Sequence, residues 1–106
     1  MNNRADTEEM KIERIGTVFA EREPDGRYNG SPCKAVVRFG KPFQNEDASW
    51  YCPYSVTSPA GERLFYGAGV DSLQALRIAI SNAAAEVKTL YADLNLRWAN
   101  NEELGF

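Results

Sequence analysis

The residues best suited to chemistry are Cys52, set between Tyr51 and Pro53, and the adjacent acids Glu46 and Asp47. A cysteine attacks as its thiolate, which needs a neighbouring cation or base to form at neutral pH. None stands beside Cys52 in the sequence, so it reads as a small buried apolar residue. Glu46 and Asp47 could work as an acid–base pair, but they fall in the polar stretch after Pro42, where carboxylates are ordinarily solvated. The chain has no histidine, which removes imidazole catalysis, histidine-based triads and histidine-containing zinc sites. Cys33 and Cys52 lack metal-ligand spacing. No catalytic residue, metal site or cofactor is assigned.

Two motifs invite a functional reading and lose it in context. Gly69-Val70-Asp71-Ser72-Leu73 fits the G-x-D-S-L pattern at which carrier proteins attach a phosphopantetheine arm to serine. A helix N-terminus favours such a phosphodiester. Carrier domains are helical bundles, however, and strand-like sequence precedes this serine. Gly67-Ala68-Gly69 also precedes a helix, but the third glycine of a dinucleotide fingerprint is missing. Asp71 and Gln74 instead have capping-box spacing, which starts a helix at Ser72.

The elements that must position these residues follow from periodicity. Short apolar stretches at 17–22, 33–39, 50–57 and 63–68 predict a four-stranded, mainly antiparallel sheet, with a long loop from Pro24 through Pro32. Ser58-Pro59-Ala60-Gly61-Glu62 predicts a three-residue hairpin loop with Gly61 in a left-handed bulge. That loop sets Ser58 opposite Glu62, Val56 opposite Leu64, Tyr54 opposite Tyr66 and Cys52 opposite Ala68. These residues and Trp50 form the expected core face, and Cys52, Tyr54 and Tyr66 mark a candidate pocket between helix and sheet. The other face then carries Tyr51, Ser55, Arg63 and Phe65, of which Tyr51, Arg63 and Phe65 are candidate binding residues. Pro53 cannot donate to a ladder, so a bulge is expected beside it.

From Asp71 the apolar period becomes that of a helix, with Leu73, Leu76, Ile80, Ala83, Val87, Leu90 and Leu94 as the stripe and Ala79, Ala84 and Tyr91 broadening it. A helix over 71–94 would overhang the sheet. Its last turns then need cover from the tail residues Leu96, Trp98, Leu104 and Phe106 or from a second chain. The expected fold is α+β, one domain over 1–106: a loosely docked segment at 1–13, a sheet over 15–70, one long C-terminal helix packed on one face over 71–94, and a tail over 95–106.

Charge and composition narrow the partners. A net charge of −3 and a pI near 4.9, with Lys and Arg scattered among the acids, leave no basic patch for phosphates, so no nucleic-acid partner is expected. The aromatic residues Trp50, Tyr51, Tyr54, Phe65 and Tyr66 read as packing for the same reason. No apolar run reaches membrane-spanning length and the N-terminus lacks a signal-peptide pattern, which predicts a cytoplasmic protein with reduced thiols and no membrane partner. A chain of 106 residues has a modest core, which a homodimer would supplement.

Trp50-Tyr51-Cys52-Pro53-Tyr54, then Gly69-Val70-Asp71-Ser72-Leu73-Gln74-Ala75-Leu76, then Leu104-Gly105-Phe106 resemble a family of small bacterial domains of unknown function. Its marks are W-x-C-P-[YF] and G-x-D-x-x-Q-A-L, and the resemblance runs from about Gly16 to Phe106. It implies a bacterial cytoplasmic protein of strands followed by a long helix, and no activity or site residue. Function is unknown at this level, with a non-catalytic protein-interaction or self-associating module as the leading expectation. The alternatives are a small-ligand sensor or minor enzyme using the helix–sheet pocket, and an immunity or antitoxin-like partner protein.

Overall fold

A computed structural model describes Ile12, residues 14–98 and Phe106. Apart from Ile12, the segment expected to dock loosely at 1–13 lies outside the described residues, as does Leu104 of the tail. The strands are β1 (Val18–Arg22), β2 (Asp25–Tyr28), β3 (Ser31–Lys34), β4 (Val36–Gly40), β5 (Phe43–Gln44), β6 (Trp50–Ser58) and β7 (Gly61–Gly69). The helix α1 (Ser72–Leu90) and a 3-10 turn (Ala92–Leu94) follow. The main sheet is antiparallel, with β4 between β1 and β6, β5 beside β6 beyond the end of β4, and β7 on the far side of β6. The helix packs across one face, so the α+β architecture is as expected. No described helix is long and apolar enough to cross a membrane.

The loop expected from Pro24 to Pro32 is instead the β2–β3 hairpin. Its turn is Asn29-Gly30, with φ of 51° and 83°. Both values are positive, the requirement that makes Asn-Gly the strongest short hairpin signal. The strand expected over 33–39 breaks at Ala35, whose N–H donates to the Pro24 carbonyl at 3.0 Å, so Cys33 belongs to the hairpin and Val36–Gly40 to the main sheet.

The register of the β6–β7 hairpin differs by one residue from the sequence expectation. The loop is Pro59-Ala60 alone, Ser58 pairs with Gly61, and the ladder runs without a shift through Tyr54–Phe65 and Cys52–Gly67. Ser58 Oγ accepts from the Ala60 N–H at 3.1 Å, and Gly61, at φ 133°, takes the turn's exit inside the first pair. Because strand side chains alternate faces, the slip inverts every β7 residue. Phe65 and Arg63 face the helix, while Tyr66, Leu64 and Ala68 join Tyr51 on the opposite face.

Pro53 sits where β6 changes partners. Phe39 pairs with Tyr54 and Phe43 pairs with Tyr51, so three residues, Gly40, Lys41 and Pro42, lie across from Cys52 and Pro53. The irregularity that proline demands is carried by the neighbouring chain, and β6 itself stays continuous against β7.

The helix begins as its cap predicts. Asp71 accepts from the Gln74 N–H at 2.8 Å, and the Gln74 side-chain oxygen accepts from the Val70 N–H at 2.8 Å. It ends at Leu90, short of Leu94, and Asn95 closes the following turn in the left-handed region at φ 51°. At 19 residues it is about 28 Å long, close to the reach of β6 and β7.

Its buried line also departs from expectation. Ala75, Ala79, Ala83 and Val87 face the sheet, whereas Leu73 is 70% exposed and Leu90 is exposed too. The reason lies in β7: Gly67 and Gly69 face the helix, and a Cβ on Gly67 would stand 2.2 Å from the Ala79 nitrogen. Small residues on both surfaces bring the backbones together, which leaves the large residues Leu76 and Ile80 half-buried on one flank. Beneath the helix Val37, Phe39, Cys52, Tyr54 and Val56 make the sheet's side of the core.

Candidate functional site

The register splits both sequence-derived residue sets and makes new ones. Tyr51 and Tyr66 meet edge to face on the outer side of the sheet, with ring centroids 5.4 Å apart, and Phe43 lies 5.9 Å from Tyr51. Tyr51 donates to Asp47 at 3.2 Å, and Asp47 also accepts from the Ser49 N–H, so this carboxylate organises its own loop. Arg63 and Phe65, grouped with Tyr51 by sequence, lie instead under the helix. There Phe65 meets Tyr54 edge to face at 6.5 Å, and the Arg63 guanidinium stands 5.8 Å from the Phe65 ring.

Sequence reasoning passed over the residue that joins this inner set, Glu86. One carboxylate oxygen of Glu86 accepts from the buried Tyr54 hydroxyl, and the other accepts from Arg63 Nε at 2.7 Å. Glu86 is the only acid within α1, and it stands between Ala83 and Val87 on the buried side. That position was the available signal, because an acid among core positions requires a partner. Burial, then the bond to Glu86, holds the Tyr54 phenol well above its usual range, so it remains a donor at any ordinary pH. Donor and acceptors are matched, which makes the trio a polar clamp between sheet and helix.

Cys52 is fully buried, and its thiol approaches the Gly40 carbonyl at 3.4 Å. Burial pushes the thiol up to about 11 from 9.0. A group that holds its proton more tightly when folded contributes stability that is complete below its unfolded value and is lost as pH rises through the folded one. Stability should therefore fall between pH 9.0 and about 11, by roughly 3 kcal/mol at about 1.4 kcal/mol per unit. Denaturant titrations across that window should show the fall, and Cys52→Ala should flatten it below 10.0, the ordinary phenol value above which Tyr54 adds its own loss.

A different surface is open. Val70 is 81% exposed and Leu73 is 70% exposed at the strand–helix junction. Leu73 and Ile80 are two turns apart on one helix flank, with Leu76 half-buried beside them. The helix lies mainly over β6 and β7, and β4 beside this flank presents Val37 and Phe39, both buried. Ile80, Phe39 and Ala20 line a groove of about 250 Å³ there, and Phe106 stands at it. Arg22 also lines it, its guanidinium 4.7 Å from the Trp98 ring and 5.8 Å from that of Phe106. Of the tail residues expected to give cover, Leu96 is buried and Phe106 packs against the core, while Trp98 keeps 38% of its surface exposed.

The fold places strands before a long helix, and the model of a protein family described as a domain of unknown function, DUF6968, matches residues 20–106. The chain belongs to the DUF6968 family. The match runs from within β1 to Phe106, and takes in the polar clamp, the glycine–alanine contact and the apolar flank. No curated protein and no solved structure matches the DUF6968 chain. Its function is unknown.

Proposed function

We propose that this DUF6968 chain is a non-catalytic protein-interaction module, and that it docks a second copy or another chain on the helix flank formed by Val70, Leu73, Leu76 and Ile80. The observation that carries the reading is the exposure of Val70 and Leu73 at the head of an apolar strip that continues into the groove beside Ile80 and Phe39. Exposed aliphatic side chains scattered singly mean little, but a contiguous strip bordering a groove is the surface that partners cover. Covering Val70 and Leu73 would contribute roughly 3 kcal/mol.

The chain works in the cytoplasm of a bacterium on this reading. Two free thiols, Cys33 half-exposed and Cys52 buried, suit a reducing compartment. Tyr51, Phe43 and Tyr66 form a secondary aromatic surface on the far face of the sheet.

The test compares wild type with Leu73→Lys. Leu73 is mostly exposed, so its melting temperature should move little, whereas affinity for the docked chain should drop about tenfold or more. Sedimentation reads self-association, and paired affinity captures read a different partner. Equal association by wild type and Leu73→Lys in both measurements would sink the reading.

A further inference from the structure

The flank of α1 that carries Leu73 and Ile80 has a charge pattern of its own. Leu73, Arg77, Ile80, Ala84 and Lys88 follow one another three or four residues apart, which sets them along one side of the helix. Leu90, 58% exposed, falls on the same side. From Leu73 to Leu90 the strip runs about 26 Å at 1.5 Å per residue. Its charged members, Arg77 and Lys88, are both exposed cations.

Among the described residues, neither Arg77 nor Lys88 makes a hydrogen bond or an ion pair. The described acids around the strip are engaged elsewhere. Glu86, the only acid within α1, is held by Tyr54 and Arg63 on the sheet side. Asp71 caps the helix through the Gln74 N–H. Glu21, in the wall of the groove beside Ile80, accepts from Arg38 Nε at 2.9 Å. The strip is therefore apolar with a basic rim, in a chain of net charge −3.

Solvated cations contribute little to folding, but beside an apolar docking strip they decide which partners can approach. A two-fold contact uses one patch twice, so a second copy brought flank to flank would set Arg77 and Lys88 against the same two cations. Like charges across an interface repel, and the pattern favours a different chain of opposite charge.

We propose that the strip docks an acidic amphipathic helix of another polypeptide, whose apolar face covers Leu73, Ile80 and Leu90 and whose carboxylates meet Arg77 and Lys88. This rests on the docking role proposed for the flank and names the chemistry of its partner. A helix suits the strip because its anchors recur every three or four residues, the spacing that a straight line of side chains along α1 can receive. Arg77 and Lys88 lie about 16 Å apart along the axis, which places the matching acids about three turns apart on the partner.

The experiment is fluorescence anisotropy of the full chain with two labelled synthetic helices. One, of about 18 residues, carries leucines on one face and glutamates beside them, and its twin carries lysines in place of the glutamates. The glutamate helix should bind about tenfold more tightly than its twin, and the gap should narrow as salt is raised. Arg77→Glu combined with Lys88→Glu should reverse the preference, whereas Arg27→Glu, on the exposed hairpin, should leave it unchanged. Leu73→Asn should weaken both helices. Equal binding of the two helices, lost in Leu73→Asn, would keep the docking flank and overturn the acidic partner. No binding of the glutamate helix, or binding untouched by the charge reversal, would also overturn the proposal, while crosslinking at position 73 judges the flank separately. A wild-type chain that sediments as a dimer and a Leu73→Asn chain that sediments as a monomer would put a second copy on the strip and overturn it as well.

Discussion

Gly67→Ala should lower the unfolding free energy by about 3 kcal/mol, and Gly67→Val should leave little folded protein. The new Cβ would stand 2.2 Å from the Ala79 nitrogen, 2.6 Å from the Ala75 carbonyl oxygen and 2.7 Å from the Ala79 Cα. All three are backbone atoms, so no side chain can swing aside and the helix itself must lift from β7. Lifting it loosens the contacts of Ala75, Ala79 and Ala83 and pulls on the clamp at Glu86. In a domain of this size the loss should appear as a melting point lower by roughly 10–20 °C. Ala68→Ser, on the exposed side of the same strand, is the matched control and should change little. A Gly67→Ala melting point within a few degrees of wild type would show that helix and strand are not in close contact.

The second large effect concerns the clamp. Glu86→Leu should destabilise by about 2–3 kcal/mol, because the buried Tyr54 hydroxyl loses its acceptor and cannot reach water. The penalty stays below that of a fully buried ion pair, since Arg63 keeps 47% of its side chain exposed and resolvates when Glu86 is gone. Tyr54→Phe removes the donor while leaving Glu86 with Arg63, and should cost about 1 kcal/mol. The double variant should then be no worse than Glu86→Leu alone, because a phenylalanine at 54 leaves no buried donor behind. Urea titrations of the four proteins form a double-mutant cycle that isolates this coupling. Strict additivity would mean that Tyr54 and Glu86 do not bond.

The elements legible in the sequence were those with strong local signals. Asp71 and Gln74 announced the helix start, and alternation located four of the main-sheet strands. Asn29-Gly30 announced a hairpin as well, but its polar flanks Asp25–Tyr28 and Ser31–Lys34 show no apolar alternation, so composition suggested a loop. β5, only two residues long, is held by pairing with Trp50 and Tyr51 and has no signal of its own.

The candidate site was less legible, because it depended on register. Whether Pro59-Ala60 or Pro59-Ala60-Gly61 forms the turn decides which of Arg63, Phe65 and Tyr66 meets the helix, and local turn chemistry permits either. The deciding information was non-local. Gly67 and Gly69, two apart, share one face, and Ala75, Ala79 and Ala83 share another, so the smooth surfaces fit only each other. The same pairing explains why Leu73, which the helical period placed in the core, is pushed out to the flank. Glu86 was hidden for a related reason, since its partners Tyr54 and Arg63 come together only in the correct register.

The docking flank is tested most directly by placing a photo-crosslinking amino acid at position 73 in cells and, separately, at position 34 on the exposed hairpin. Position 73 should yield a discrete adduct with a protein chain, either another copy or a different polypeptide, and position 34 should yield none. No adduct at position 73, or the same adducts at both positions, would contradict a protein-interaction role for this surface.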